Sequence, residues 1–425
     1  MDDLKIYSSN RDQLLSMTEE VSSVSEAIKM DFGLDKCTVL EVKRGKVHAT
    51  EGLQLHGGVA LQGLDVEEKY KYLGMYQILE VNHGQVQDEI VAAFKVRLSK
   101  VLGTSLSAKD KIDAINSWAM PLVEYSFGVI KWSKTALEAL DRLVRRMMKE
   151  CRMLHPRCSI ARLYLPRCEG GRGLVSLLER CRIHKEGLRE YFCQQKRDIC
   201  KAVVAVDDGF SALEFGENEG LILEITVEDR KAEWASMALH GAYYGHLHAE
   251  GVDVEASVAW LEEGSLFPET EGFIAAIQDQ VVPTRYYLKR IVQDNTVQEE
   301  ACRLCGSAPE TIFHIISSRP DVVWHDKKEG KVYIIDVSVP DSNNLAAAYS
   351  EKVRKYRDLS VEILAQWTPV ASVITVPIVM SALAVVPRTL IESLARLGLK
   401  RDLYKPMQKA VILATCRTVR LVLGV

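Results

Sequence analysis

A chain of 425 residues has room for roughly two to four domains, and its apolar (47%) and charged (26%) fractions are ordinary for globular protein. The longest apolar run, 373–386, is too short for a membrane span and contains Pro377, and Met1-Asp2-Asp3 lacks the basic-then-apolar layout of a secretory signal. Ten scattered cysteines without framework spacing point to free thiols in a reducing compartment, nuclear or cytoplasmic and not secreted, while a net charge of −4 conceals a strong internal asymmetry.

In chain order, residues 12–30 carry Leu14, Leu15, Val21, Val24 and Ile28 near helical spacing, with Gly33 as the stop. Cys37-Thr-Val-Leu-Glu-Val42 alternates like a strand, and Tyr70-Lys-Tyr-Leu-Gly-Met75 reads as a short aromatic strand. From about 85 to 152 the pattern is helical, and Leu137, Leu140, Val144, Met147 and Cys151 mark one apolar stripe with Lys and Arg opposite. A turn rich in glycine and arginine follows, Arg162-Leu-Tyr-Leu-Pro-Arg167 and then Glu169-Gly-Gly-Arg-Gly-Leu174. The stretch after 202 reads as helices with loose connections, best at 234–248 and 272–293. Beyond 319 the order is strand (Val332-Tyr-Ile-Ile-Asp-Val337), long amphipathic helix (346–367), apolar strand (372–386) and helix (389–397). That order predicts a small α/β domain. There is no internal repeat.

Charge separates two of these regions. Residues 131–201 hold about 18 Lys+Arg against about 8 Asp+Glu, and residues 202–272 about 2 against about 16. The basic region offers Lys131, Lys134, Arg142, Arg145, Arg146 and Arg152 as phosphate contacts, the interaction that dominates nucleic-acid affinity. A solvated helical face accounts for the same residues equally well.

Three constellations carry chemistry. Asp2-Asp3 is a carboxylate pair of the kind that holds divalent metals for phosphoryl transfer, though an isolated pair is usually a solvated turn. Cys302-Arg-Leu-Cys305 followed by His314 begins a tetrahedral zinc site but supplies three ligands of four. The alternative is a half-finger that no longer binds metal. His240, His246 and His248 have no cysteine near them and read as packing or surface residues. Finally, Arg319-Pro-Asp321 is followed fifteen positions later by Asp336, then by Tyr349-Ser-Glu-Lys352 and Arg354-Lys-Tyr356 on a helix. Two carboxylates on neighbouring strands can hold Mg²⁺ against a scissile phosphate. A lysine beside them orients water or stabilises the pentacoordinate phosphate, and Lys352, Lys355 and Tyr356 lie within about one helical turn of each other. An ordinary α/β domain with a capping Asp and a salt-bridged helix is the rival reading.

Asp2-Asp3, Gly33-Leu-Asp-Lys-Cys37 and Tyr70-Lys-Tyr-Leu-Gly74, in this order, resemble the last part of a reverse-transcriptase palm. Ser126-Phe-Gly-Val-Ile-Lys-Trp-Ser133, the two Arg/Gly motifs at 162–174 and Thr270-Glu-Gly-Phe-Ile-Ala-Ala-Ile-Gln-Asp-Gln280 extend the likeness. They resemble the thumb and linker of site-specific non-LTR retrotransposon proteins that carry a restriction-like endonuclease. The Pro-Asp, Asp, Lys-x-x-Lys-Tyr pattern resembles that endonuclease, which in the family nicks DNA so that the freed 3′ end primes reverse transcription.

The resemblance implies a multidomain α+β chain: palm remnant 1–84, helical basic thumb 85–201, acidic helical linker 202–295, incomplete zinc knuckle 296–318 and restriction-like α/β endonuclease 319–425. It implies Mg²⁺ on Asp321 and Asp336, with Lys352 or Lys355 on the phosphate side, and zinc on Cys302, Cys305 and His314. DNA is the expected partner, with the element's RNA as a second candidate, and no membrane or small-molecule substrate is implied. Two departures stand out. The family's fourth zinc ligand is replaced by Arg319, and the helical connector expected after Ser318 is missing, both at one junction. A palm also needs a third carboxylate from upstream, so no reverse transcription is expected from this chain alone. The alternatives are a non-catalytic nucleic-acid-binding remnant that uses the basic thumb, or a decayed element without function.

Overall fold

The computed structural model describes residues 4–30, 33, 36–56, 58–66, 68–77, 81–207, 211–215, 225–302, 308–315, 322–367 and 370–424. Helix α1 (Arg11–Ala27) starts where the Asn10 side chain accepts the Gln13 N–H, satisfying a helix-end donor. Short strands follow: β1 (Thr38–Val39), β2 (Glu41–Lys43), β3 (Lys46–His48), β4 (Leu53–Gln54) and β5 (Ala60–Gly63). Strands β2 and β3 pair as a hairpin, while the other three form a sheet ordered β1-β5-β4. Leu14 and Leu15 of α1 pack on Leu53, Leu55 and Leu61. The expected aromatic strand is in fact a hairpin, β6 (Tyr70–Tyr72) and β7 (Met75–Gln77). Its two central residues, Leu73 (φ 48°) and Gly74 (φ 79°), both have positive φ, as the tightest hairpin turn matched to strand twist requires.

The next region is helical: α2 (His83–Leu102), α3 (Ala108–Ala114), a π-turn at Ile115–Ala119, α4 (Met120–Glu124) and α5 (Lys134–Glu150). Phe94, Leu98, Ile112, Met120, Phe127, Leu140, Val144 and Met148 share its core. On α5 the buried stripe runs Leu137, Leu140, Leu143, Val144, Met148, whereas Cys151 is exposed. Cys151 is the C-cap that follows the last helical residue, Glu150, and so falls outside the stripe, while Met147 packs half-buried against the same core. Helices α6 (Ile160–Tyr164), α7 (Leu177–Gln194) and α8 (Asp198–Val206) complete the basic region.

The segment expected as one helix over 234–248 is two, α9 (Val227–Ser236) and α10 (His240–Leu247). The first carries a reciprocal capping box between Thr226 and Asp229. Then come α11 (Val254–Glu263), α12 (Pro268–Gln278), α13 (Arg285–Tyr287) and α14 (Ile312–Ile315). Helix α12 opens on Pro268, whose missing N–H is tolerated only in a first turn.

The C-terminal unit holds β8 (Val322–Asp326), β9 (Lys331–Ser338), α15 (Leu345–Lys355), α16 (Arg357–Gln366), β10 (Ser372–Val379), α17 (Arg388–Arg396) and α18 (Tyr404–Leu423). Its sheet runs β10-β9-β8, with β8 and β9 antiparallel and β9 and β10 parallel. A parallel pair needs a long crossover, which α15 and α16 supply. The helix expected as continuous over 346–367 breaks at Tyr356 (φ −100°, ψ 8°).

Cores do not follow the sequence regions. Trp234, Tyr243, Ile274 and Ile277 pack with Val379, Leu383, Ile412 and Val419 in one cluster. Buried amides reinforce that union. Gln278 donates to Leu383 O (2.9 Å), and Gln408 of α18 donates to Ala256 O, Ser257 O and Ala384 O. No helix among the described residues is long and apolar enough to cross a membrane.

Candidate nucleic-acid-cleaving site

Strand β9 alternates its side chains with period two, so Val332, Ile334 and Asp336 share one face of the sheet. Val332 and Ile334 are covered there by Ile363 of α16, with Tyr356, Val370 and Val373 packed alongside. Asp336 sits at the end of this apolar row with 0% of its surface exposed. Burying a carboxylate is costly unless it is paired and hydrogen-bonded. Asp336 is paired through Oδ2: the Tyr356 hydroxyl at 2.7 Å, Lys352 Nζ at 3.1 Å and Lys355 Nζ at 3.6 Å. Lys355 also donates to the Tyr356 hydroxyl (2.7 Å).

The helix break explains this convergence. Tyr356 caps both α15 and α16, and its non-helical backbone turns it onto the sheet beside Lys352, one turn earlier. Oδ1 of Asp336 is buried and has no hydrogen-bond partner among the described residues. A buried carboxylate oxygen without a donor costs about 1–3 kcal/mol. Its lone pairs could serve a hard cation such as Mg²⁺, which takes oxygen ligands, once further ligands join it. With two ammonium groups and one carboxylate, the site is locally positive and suited to a phosphate.

Structure thus brings together Asp336, Lys352, Lys355 and Tyr356 of the predicted constellation. Asp321 lies outside the described residues. It precedes Val322, whose register partner on β9 is Ile335, next to Asp336. Both lysines reach the carboxylate, but Lys352 is the more enclosed, its side chain 12% exposed against 48% for Lys355.

The other predicted sites fare differently. Asp2 and Asp3 lie outside the described residues, as do Cys305 and Arg319. Cys302 is buried and its N–H donates to Ala308 O (2.7 Å), within a two-rung closure that includes the Ala301–Pro309 bridge. His314 lies on α14, where its N–H donates to Thr311 Oγ1 (3.2 Å). Among the described residues no three His, Cys, Asp or Glu side chains come together as a metal site.

On the basic region, Lys134, Arg142, Arg146 and Arg152 are exposed. Arg142 and Arg146 lie only loosely against Glu138 (3.6 Å) and Glu150 (3.9 Å). Arg145 instead leans on Tyr164, donating to its hydroxyl. Lys131 is half-buried, and its backbone bonds to His83 and Gln87 of α2.

The arginines of the 162–174 turn were not singled out as structural by sequence reasoning, yet they form a buried ion network. Arg167 grips both oxygens of Glu271 (3.0 and 3.2 Å), and Arg172 bonds Glu271 (2.9 Å) and Met153 O. Arg162 pairs with Asp279 at 3.1 Å and bonds Gln278 and Gly170 O. Glycine makes the turn possible. Gly170 has φ 78°, and a Cβ on Gly171 would lie 2.1 Å from Leu165 O. Burial pushes the Glu271 carboxyl up, but the Arg172 and Arg167 guanidiniums outweigh it and hold the pKa below the ordinary carboxylate value. Three arginines of the positive segment are thus paired internally, two of them with Glu271 of the acidic one, while Arg230–Glu179 and Lys231–Glu169 join the segments the other way round, cations of the acidic segment on carboxylates of the basic one.

No family model matches the chain. It is similar to the retrovirus-related Pol polyprotein from type-1 retrotransposable element R2 of Popillia japonica, at 26% identity over 286 residues. The match takes in 65% of this chain and 56% of that polyprotein, so the chain spans little more than half the relative's length. The likeness is thus to a retrotransposon protein, at a distance.

Proposed function

We propose that this chain is a retrotransposon-derived protein acting on nucleic acid, whose C-terminal unit nicks DNA by hydrolysis of a phosphodiester bond. The observation that carries the reading is the Asp336 carboxylate, with Oδ2 held by Lys352 and Tyr356 and Oδ1 buried without a hydrogen-bond partner among the described residues. Asp336, with Asp321 as the second ligand, would hold Mg²⁺, which when bound supplies Lewis-acid polarisation of the phosphate and a more acidic water. Lys352 holds Asp336 Oδ2 at 3.1 Å and presents positive charge where the phosphorane gathers negative charge. Tyr356 fixes the carboxylate's rotamer through its hydrogen bond, and Lys355 supports Tyr356. Water adds across one P–O bond, and the leaving oxygen takes up a proton to become a hydroxyl end.

The partner proposed is DNA, with RNA of the parent element as a second ligand, and zinc on Cys302, Cys305 and His314 is a subordinate proposal that metal analysis of the purified chain tests. A second reading, a non-catalytic nucleic-acid binder, draws on the exposed Lys134, Arg142, Arg146 and Arg152. Nicking of supercoiled plasmid with Mg²⁺ separates the two. Cleavage lost on chelation and in Asp336→Asn supports the nuclease. A salt-sensitive gel shift with no cleavage by the intact chain supports the binder.

A further inference from the structure

The helical region after residue 83 holds two tryptophans with opposite fates. Trp132 is buried and spends its indole N–H on Ser126 Oγ (2.8 Å), whereas Trp118 is 43% exposed. Leaving so large a ring in water forgoes the burial that Trp132 obtains. Trp118 lies in the π-turn Ile115–Ala119, an uncommon conformation that recurs at functional sites. Pro121, at the start of α4, has no N–H to continue the ladder of the turn before it. The turn is anchored through Asn116, which donates to Gly173 O (2.7 Å) and accepts the Val175 N–H (3.1 Å). Arg97 of α2 holds Trp118 itself. Its Nη1 donates to Trp118 O (2.8 Å), and its guanidinium lies over the indole, 5.1 Å from the ring centroid. Arg97 faces no carboxylate among the described residues, and neither does the exposed Lys100 one turn further along α2.

We infer that Trp118 is a stacking platform for an unpaired base of single-stranded nucleic acid, and that Arg97, on the same ring, meets the strand's phosphate backbone. The inference rests on the reading of this chain as a protein acting on nucleic acid, and not on cleavage at Asp336. Charge selects the partner. Residues 90–102 of α2 carry Lys95, Arg97 and Lys100 and no Asp or Glu, so the surface beside the ring complements a polyanion. Strandedness follows from the ring. A base inside a duplex already has a neighbour on each face, whereas a base in a single strand offers its π-face to an aromatic side chain, whatever the sequence. The guanidinium, planar and permanently charged, both stacks on an aromatic face and bonds phosphate.

The test is binding of the full chain, by anisotropy across a salt series, to fluorescent oligothymidylate, oligouridylate, an abasic DNA strand of the same length and a DNA duplex. The parent chain is compared with Trp118→Ala, Trp118→Phe and Arg97→Ala. Trp118→Ala should weaken binding to a base-bearing single strand at least about five-fold, the lower end for one stacked base. It should leave the abasic strand, the duplex and the salt slope unchanged, and Trp118→Phe should restore most of the loss. Arg97→Ala should lower the slope of log K against log salt by about 0.7 on single strands, the value for one phosphate. Loss on the deoxy strand, the ribo strand or both supports the inference and names the ligand. Unchanged binding by Trp118→Ala overturns it, and an equal loss on base-bearing and abasic strands overturns it too, assigning Trp118 to bracing the π-turn. A parent chain that binds no strand and no duplex sinks the nucleic-acid reading itself, an outcome distinct from a neutral Trp118 in a chain that binds.

Discussion

Replacing Lys352 with Met removes a charge 3.1 Å from a fully buried carboxylate while keeping most of the side chain's apolar bulk. At an effective dielectric of about 20, two unit charges at that distance attract by about 5 kcal/mol. Removing one partner of a buried pair typically costs about 3–5 kcal/mol. Lys355, at 3.6 Å, and the Tyr356 hydroxyl remain on the same oxygen and take up part of the loss, though Lys355 is half in solvent. The expected destabilisation is therefore about 2–3 kcal/mol, below the usual range for a buried pair. Urea unfolding of the parent chain, Lys352→Met, Asp336→Asn and the double variant measures it as a cycle. The double variant should lose less than the sum of the two singles, because either change removes the same interaction. Lys352→Met should also slow nicking by at least about a hundredfold, the usual cost of one electrostatic contact to the transition state. A stability change under about 0.5 kcal/mol together with additive singles would refute the coupling of Lys352 to Asp336.

Mg²⁺ at a hundred times its dissociation constant should stabilise the folded chain by about 2.7 kcal/mol. The melting temperature should rise with added Mg²⁺ in the parent and stay flat in Asp336→Asn; equal rises in both would move the ion elsewhere. Glu271, held ionised by Arg167 and Arg172, has a lowered pKa in the folded state. Its contribution is present in full above the unfolded carboxylate pKa and is lost as pH falls through the lower folded value. Glu271→Gln should therefore lower the melting temperature strongly at neutral pH and flatten its fall in acid, read from melts between pH 7 and pH 3. Arg142→Ala with Arg146→Ala should reduce the salt slope of duplex binding by about 1.8 if both contact phosphate. An unchanged slope would leave those residues as a solvated face.

Much of the local structure was legible in residue order. The strand at β9, the helix at α17 and the break from helices to an α/β unit follow from periodicity and apolar runs, which are properties of neighbouring residues. So does the grouping of Lys352, Lys355 and Tyr356, since helical spacing alone puts them within a turn. Helix α18 went unread: its buried positions face α11 and α12, and its exposed Leu413 and Leu421 blur the polar side that would have marked it. The break at Tyr356 was equally hidden, because no glycine or proline stands there and the turn is held by a hydrogen bond to a different strand. Charge counting found the basic and acidic segments but could not tell that Arg162, Arg167 and Arg172 point inward at Glu271 and Asp279, about a hundred residues away. Residue types and spacings carry local geometry and candidate chemistry. Only the tertiary structure decides which charges are buried against each other and which face solvent, because desolvation and pairing depend on contacts between residues remote in the chain.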